Sequence, residues 1–284
     1  MAGNVFDQDA WLARISYSGP LAPTLATLRG LVISHAQSIA YESLDIMLGR
    51  VPQLSVAELQ RKMIDHKRGG YCFEQNFLFR AGLLSLGYRV TSLQGRVVRG
   101  LAIDAPRPAI HMLLQVELPE GPHLADVGFG NLAPTAPLLL APHLEQPTPH
   151  GLTRFIEVSG ELTLQQFLGE HWEHIYRVIP YARYDAEYEV ANWYTATHPD
   201  APYLSNMIAA RPLSDGSRLT MFNGRVTSRT SNGECHRRNL ETPEGFATVL
   251  REEFGLNLSD SDLHDMLGVM ERIGSRGAPH PFFA

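Results

Sequence analysis

The stretch RGGYCFEQN, residues 68–76, places a cysteine after two glycines and at the start of a helical pattern. A helix start offers unpaired backbone N–H groups and a partial positive charge, and both favour the thiolate, the reactive form of cysteine. Gly69 and Gly70 are expected to let the backbone turn tightly and to leave room for a substrate. The setting therefore suits a nucleophile at Cys72, although packing as a small buried side chain is the more common role of a lone cysteine.

Helical patterns precede this stretch and continue through it. Apolar residues recur at helical spacing in LAPTLATLRGLVISHAQSI, residues 21–39, and SVAELQRKMI, residues 55–64, opens with a capping box of Ser55 and Glu58. CFEQNFLFRAGLLSLG, residues 72–87, is apolar nearly all round, which predicts a buried, central helix.

Beyond Tyr88 the apolar period changes to two, which predicts β-strands separated by Pro, Gly and Asp turns. The strand patterns are YRVTSLQGRVV (88–98), AIHMLLQVEL (109–118), HLADVGF (123–129) and TRFIEVSG (153–160). Residues 171–180 either continue this β region or begin a connector, and residues 184–195 do the same or form a helix.

The last part of the chain mixes both periods. Residues 217–230, SRLTMFNGRVTSRT, predict a hairpin that turns at Asn-Gly. Residues 241–255 predict a helix with Thr242 as its cap, and residues 261–274 predict a final amphipathic helix. Helices, then strands, then a mixed segment indicate an α+β fold in about three parts rather than a doubly wound sheet.

Composition narrows the class of protein. The 284 residues carry a net charge of −6, and without a basic stripe we expect no nucleic-acid partner. Cys72 and Cys235 are too few for a disulfide scaffold or a cysteine zinc site. The first residues lack a signal-peptide pattern, and no apolar run approaches the roughly 20 residues that span a bilayer. We expect a cytoplasmic protein with no membrane partner.

A base and an orienting acid for Cys72 are suggested by two strand patterns. His111 interrupts the apolar strand AIHMLLQV, where an imidazole at a pocket edge can accept a thiol proton. Asp126 lies among apolar residues in HLADVGFG, and a buried carboxylate needs a partner. An imidazolium on the neighbouring strand is one such partner.

The sequence does not determine the pairing register of these two strands. A hairpin that turns symmetrically at residues 120–121 sets His111 opposite Gly130. Direct pairing of His111 with Asp126 requires a turn centred on residues 118–119, or a β-bulge.

Three motifs in this order resemble the arylamine N-acetyltransferase family: RGGYCFEQN, the histidine of HMLL, and DVGFG about fifteen residues later. HAQSIAYESLDIMLG, residues 35–49, resembles a further family signature, with Tyr41 where the family has phenylalanine. NWYTATHPDAPY, residues 192–203, resembles the stretch before the family's third domain. The likeness covers most of the chain and is weakest after about residue 205.

The resemblance implies a fold and an activity. The fold is a helical bundle over residues 1–88, a β-barrel over 89–204 and an α/β lid over 205–284, with a papain-like Cys-His-Asp core. The catalytic triad is Cys72, His111 and Asp126. Acetyl-coenzyme A acylates the cysteine in a ping-pong reaction, and an arylamine or arylhydrazine then takes the acetyl group. The family suggests a role in arylamine detoxification.

The residues around the triad receive supporting roles from the same resemblance. Phe129 and Gly130 line the acceptor pocket, and Tyr41, Val98 and Tyr203 are weaker candidates for its wall. Arg68 and Glu42 are expected to pair and to brace the Cys72 loop. We identify no coenzyme A phosphate motif.

Other readings of the sequence give competing functions. An amide synthase of the same family, which takes an acyl chain from a carrier protein and closes a macrolactam, shares the triad. A hydrolase or transglutaminase-like enzyme uses a papain-like core as well, and a non-catalytic binding protein can retain the fold.

The remaining sequence features do not indicate another kind of functional site. GFGNLA, residues 128–133, matches a dinucleotide fingerprint, but the following prolines prevent the helix it must open. HWEH, residues 171–174, lacks a third metal ligand, so we expect no metal. No GxSxG elbow occurs, and Cys235 reads as a spare surface thiol.

Overall fold

The computed structural model describes residues 6–230 and 233–273. Its N-terminal part is helical, and Ser55 accepts a hydrogen bond from the Glu58 N–H at 3.4 Å, as predicted for a helix cap. The helices are α1 (Gln8–Arg14), α2 (Leu25–Ser38), α3 (Leu44–Met47), α4 (Val56–Leu59), which a π-helical turn (Gln60–Asp65) extends, and α5 (Cys72–Ser85). Helix α5 is central and buried over most of its length, as its apolar pattern predicts.

The middle of the chain forms an eight-stranded antiparallel sheet that curls into a nearly closed barrel. Its strands are β2 (Arg89–Val97), β3 (His111–Leu118), β4 (Gly121–Ala125), β5 (Leu138–Leu139), β6 (Glu145–Thr148), β7 (Gly151–Val158), β8 (Glu161–Leu168) and β9 (His171–Ile179), in the order β5-β4-β3-β2-β9-β8-β7-β6. The side chain of Gln146 joins the two edge strands, because its amide bonds both the N–H and the carbonyl of Leu139, at 2.7 and 3.0 Å. The ambiguous segment 171–180 is therefore a barrel strand.

A helix and a second sheet complete the chain. Residues 184–195 are mostly helical, in α6 (Asp185–Thr197). The second sheet, ordered β1-β10-β11-β12-β13, contains β1 (Tyr41–Glu42), β10 (Ile208–Pro212), β11 (Arg218–Phe222), β12 (Arg225–Arg229) and β13 (Cys235–Asn239). Helix α7 (Pro243–Glu252) packs beside it, and Thr242 caps that helix as predicted, accepting from the Gly245 N–H at 3.1 Å.

Most predicted elements of the C-terminal part are confirmed. The hairpin of β11 and β12 turns at Asn223 and Gly224. The final helix differs, since it is divided at Asp265 into α8 (Asp260–His264) and α9 (Met266–Arg272). The two helices bury different partners: α8 turns Asp262 towards arginines, whereas α9 packs Met266 and Val269 into an apolar core. The predicted α+β fold with a central barrel is confirmed.

The apolar cores contain residues from more than one of the three predicted segments. Ala40 and Leu44, from the N-terminal part, pack in one cluster with Phe246 and Leu250 of α7. Strand β1 pairs with β10, so Tyr41 lies opposite Ala210. A further β-bridge joins Tyr41 to Gly70, so the loop before Cys72 is held beside the second sheet, and the candidate site forms where all three parts meet.

Candidate active site

A cavity of about 180 Å³ lies at this meeting point. Cys72 and His111 both line it. Four of the five residues predicted for the acceptor pocket also line it: Tyr41, Phe129, Gly130 and Tyr203. Val98 does not line the cavity; its side chain is fully buried, and its neighbours Val97 and Arg99 face the cavity instead.

Cys72 occupies the first turn of α5, as its sequence predicts. Its Sγ lies 3.9 Å from the carbonyl oxygen of Ile110. Burial raises the pKa of the Cys72 thiol well above its ordinary value, and the charge of Asp126 adds to this, whereas the backbone N–H groups of Phe73 and Met112 act in the opposite direction. The helix start alone therefore does not ionise the thiol, and a thiolate here needs a cation beside it.

His111 and Asp126 form a buried ion-pair geometry, with Nε2 and Oδ2 2.8 Å apart. Asp126 is fully buried and also accepts from the Gly128 N–H at 2.9 Å. Burial raises the pKa of Asp126, but His111, the Asn76 amide and the Gly128 N–H together bring it below its usual value. The carboxylate is ionised at neutral pH, and it leaves Nδ1 as the imidazole nitrogen that can serve the cavity.

The strand register differs from both predicted alternatives. Leu118 pairs with Gly121 and Leu114 with Ala125, so the hairpin turns at residues 119–120 and the ladder ends one residue before Asp126. Continued by this register, His111 would lie opposite Gly128, two residues beyond Asp126. The two side chains meet diagonally, which the length of an imidazole permits without a bulge.

Asn76, which was not among the residues predicted from the sequence, holds this pair in place. Its Nδ2 donates to Asp126 Oδ1 at 3.0 Å and to the Met112 carbonyl at 2.9 Å, while its Oδ1 accepts from the Val127 N–H at 3.1 Å. Asn76 lies four residues after Cys72 in α5, hence on the same helix face. A polar residue at that spacing within an otherwise apolar helix was the available signal.

Tyr176 of β9 is a second residue that the sequence did not single out. Its ring lies 5.2 Å from that of His111 and 5.1 Å from that of Phe129, measured between centroids. The ring is fully buried, and its hydroxyl lies near the Asp126 carboxylate without good hydrogen-bond geometry. Burial and the charge of Asp126 keep the pKa of Tyr176 well above its ordinary value, so the phenol is neutral.

The glycines at the site are required by close backbone packing. A Cβ on Gly69 would lie 2.2 Å from the Ala40 carbonyl oxygen, and one on Gly128 would lie 2.9 Å from the Cys72 Cα. Gly69 thus admits the neighbouring chain rather than a substrate, which corrects the expectation from sequence. Gly128 lets the segment after Asp126 reach the start of α5.

The predicted pairing of Arg68 with Glu42 is confirmed at 2.9 Å. The same guanidinium also lies 3.2 Å from Asp45 and 3.2 Å from Asp262 of α8. This buried network joins the loop before Cys72 to helix α8.

The remaining patterns have structural roles or none. GFGNLA opens only a short 3₁₀ turn, Gly130–Leu132. Within residues 6–230 and 233–273, no group of His, Cys, Asp and Glu is arranged to hold a metal ion. Cys235, predicted to be a surface thiol, lies on strand β13 and is partly buried. None of the described helices has the length and apolar character needed to cross a membrane.

Comparison with known proteins gives consistent matches. A family model described as N-acetyltransferase matches residues 24–263. The arylamine N-acetyltransferase of Escherichia coli K12 is 37% identical over 251 residues, which are 88% of this chain and 89% of that protein. The arylamine N-acetyltransferase of Mycobacterium tuberculosis H37Rv is 37% identical over 96% of this chain and 93% of its own length.

Solved structures agree with these relatives. The arylamine N-acetyltransferase of Mycobacterium marinum has a TM-score of 0.88 at 35% identity, covering 94% of this chain and 98% of its own. A structure of the same enzyme in complex with CoA has a TM-score of 0.87 at 34% identity, with the same coverage.

Proposed function

The chain belongs to the arylamine N-acetyltransferase family of acyltransferase enzymes, and we propose from this that it moves an acetyl group from acetyl-coenzyme A to an arylamine or arylhydrazine. The observation that carries the proposal is the buried His111–Asp126 contact of 2.8 Å beside the cavity that Cys72 lines. The CoA complex of the Mycobacterium marinum relative supports the donor.

The first step prepares the nucleophile. His111 takes the Cys72 proton on Nδ1, because Nε2 is committed to Asp126. The resulting imidazolium is the cation that a buried thiolate requires, and ionised Asp126 stabilises it. The backbone N–H groups of Phe73 and Met112 favour the thiolate further.

The second step forms the acyl-enzyme. The Cys72 thiolate attacks the thioester carbon of acetyl-coenzyme A, and the carbonyl electrons move onto oxygen. The Cys72 N–H, one of the unpaired donors of a helix start, is a candidate to stabilise that oxyanion. When the intermediate collapses, the coenzyme A sulfur leaves and takes the proton held by His111.

The third step delivers the acetyl group. An arylamine is weakly basic and therefore unprotonated near neutral pH. Its nitrogen attacks the acyl-thioester carbon, His111 accepts the proton that this nitrogen loses, and Cys72 leaves as a thiolate. The products are the amide and the resting ion pair.

The test is the mass of the intact protein after mixing with acetyl-coenzyme A, and again after adding an arylhydrazine. We expect a gain of one acetyl group that the acceptor then removes. Cys72→Ala should show no gain, while Cys235→Ser, which alters the other cysteine, should behave as the wild type.

No acetyl gain, with Cys72 still reactive towards an alkylating reagent, would reject acetyl-coenzyme A as donor. Acylation by a carrier-bound chain would then support the amide synthase instead.

A further inference from the structure

The cavity wall contains a cation that the transfer steps do not use. Arg99 follows β2 and lines the same cavity as Cys72 and His111. Its side chain is only partly exposed. Within the described residues its guanidinium makes no hydrogen bond and no ion pair, although it offers five N–H donors.

Three other shielded arginines among the described residues donate to protein groups, whereas Arg107, which also lacks such a bond, does not line the cavity. Arg68 meets three carboxylates, and Arg218 donates to the carbonyls of Asn131 and Ala133 at 2.6 and 3.1 Å. Arg96, on the strand before Arg99, donates to a backbone carbonyl. Arg99 differs from these three because its donors point to no protein acceptor.

The electrostatic surroundings make this arrangement unfavourable without a ligand. Burial lowers the pKa of Arg99, and the charge of Glu173 only partly offsets this. The Glu173 carboxylate itself accepts from the Gly100 N–H at 3.0 Å rather than from Arg99. A guanidinium stays charged under these conditions, and a partly desolvated charge gains most from a counter-ion.

The rest of the cavity wall suits an aromatic ring. Phe129, Tyr203, Tyr41 and Phe222 contribute aromatic surface to it. A guanidinium binds a carboxylate through two parallel hydrogen bonds, which orient a planar ligand. The wall therefore offers a ring surface, a nucleophile and an anion-binding group in one space.

We propose that Arg99 binds the carboxylate of acidic arylamines, such as aminobenzoates, and makes them preferred acceptors. This inference rests on the proposed acetyl transfer. The phosphates of coenzyme A are the other anions that an arginine could serve. We favour the acceptor because Arg99 shares the cavity with Cys72, whereas the whole pantetheine arm separates the diphosphate from the reacting thioester.

The acceptor test compares 4-aminobenzoate with 4-aminobenzamide, its uncharged analogue of the same shape. In Arg99→Gln we expect kcat/KM for 4-aminobenzoate to fall about tenfold or more, chiefly through KM, and the value for the benzamide to change far less. The acceptor ratio, kcat/KM for 4-aminobenzoate divided by kcat/KM for 4-aminobenzamide, is compared between Arg99→Gln and the wild type. The difference in intrinsic reactivity of the two amines cancels in this comparison. Arg99→Lys should recover part of the loss.

Arg89→Gln is the matched control, because Arg89 is exposed at the opposite end of β2 and does not line the cavity. It removes the same charge and should leave the ratio unchanged. An equal loss for both amines in Arg99→Gln, or no loss, overturns the proposal.

A second experiment tests the acetyl donor. It compares acetyl-coenzyme A with acetylpantetheine, which has no diphosphate. If Arg99→Gln raises the KM of acetyl-coenzyme A alone and leaves the acceptor ratio intact, the cation serves the donor and the proposal is rejected.

Calorimetry without donor separates this inference from the proposed function. Arg99-dependent binding of 4-aminobenzoate, with no acetylation of either amine, would sustain the anion site and reject acetyl transfer. Acetylation of the benzamide, with an unchanged acceptor ratio in Arg99→Gln, would do the reverse.

Discussion

The side-chain amide of Asn76 donates to the carboxylate of Asp126, with Nδ2 and Oδ1 3.0 Å apart. The same amide bonds the Met112 carbonyl and the Val127 N–H. One side chain of the helix that begins at Cys72 therefore fixes the strand after His111 and the segment after Asp126. The relative position of nucleophile, imidazole and carboxylate depends on it.

Replacing this amide should damage both activity and stability. Asn76→Ala leaves a buried N–H of Val127 and a side of Asp126 without a partner, which costs about 1–3 kcal/mol for each unsatisfied group. We expect the free energy of unfolding in urea to fall by about 3 kcal/mol and kcat/KM to fall about tenfold or more. Asn257→Ala, at an exposed asparagine, should change the unfolding free energy by less than about 0.5 kcal/mol. Full activity in a well-folded Asn76→Ala protein would contradict the positioning role.

Two substitutions at Tyr176 separate the contribution of its ring to stability from that of its hydroxyl. Since the hydroxyl lies near the Asp126 carboxylate without good hydrogen-bond geometry, Tyr176→Phe should change the unfolding free energy by no more than about 1 kcal/mol. Tyr176→Ala removes the ring that packs on His111 and Phe129, and should cost about 3–5 kcal/mol. Urea unfolding and kcat of both variants measure this. A marked loss in Tyr176→Phe would mean that the hydroxyl is bonded.

Removing the Arg68 guanidinium should strongly destabilise the folded protein. Arg68→Met leaves Glu42, Asp45 and Asp262 close together without that guanidinium, and breaking a buried pair from one side costs about 3–5 kcal/mol. Arg89→Met, at an exposed arginine, is the control for loss of charge. Equal unfolding free energies of the two variants would show that the network contributes no specific stability.

The sequence allowed local elements and the chemistry to be predicted better than the contacts between them. The start of α5 at Cys72 follows from the glycines that precede an apolar helical pattern, and the hairpin at Asn223–Gly224 follows from the turn residues themselves. The diagonal meeting of His111 with Asp126 depends on a one-residue choice of turn, which local sequence does not decide. Arg99 and Tyr176 acquire their roles only when β2 pairs with β9 beside the site, so periodicity could not indicate them.

A buried histidine outside the triad should make stability depend on pH. His35 accepts from Trp11 at 3.4 Å and contacts Gln75 Oε1 at 2.9 Å, an arrangement that suits the neutral imidazole. Burial lowers the pKa of His35 to about 3, from an unfolded value of about 6.5. The unfolded state therefore binds the proton first, and the stabilisation present above pH 6.5 is lost as pH falls towards 3.

Between about pH 6.5 and pH 5 this amounts to about 2 kcal/mol, at roughly 1.4 kcal/mol per pH unit. Urea unfolding of the wild type and of His35→Gln, each at both pH values, isolates the effect because all other titrating groups are common to the two proteins. The variant should lose less stability on acidification. Parallel losses would show that His35 titrates equally in the folded and unfolded states.

Tyr41 gives the cavity a polar atom where the family resemblance places a bare phenyl ring. Its hydroxyl and that of Tyr203 lie 2.8 Å apart, and both residues line the cavity. Burial raises the pKa of both phenols, so they form a neutral hydrogen-bonded pair.

Tyr41→Phe removes one hydroxyl and makes the cavity more apolar. Since a neutral hydrogen bond contributes about 0.5–1.5 kcal/mol, kcat/KM for 4-ethylaniline relative to 4-methoxyaniline should rise about two- to tenfold. The two amines have similar shape, and Tyr184→Phe, at an exposed tyrosine outside the cavity, should leave their ratio unchanged. An unchanged ratio in Tyr41→Phe would mean that acceptors do not approach this hydroxyl pair, and the acceptor ring would then have to lie against Phe129 and the other side of the cavity.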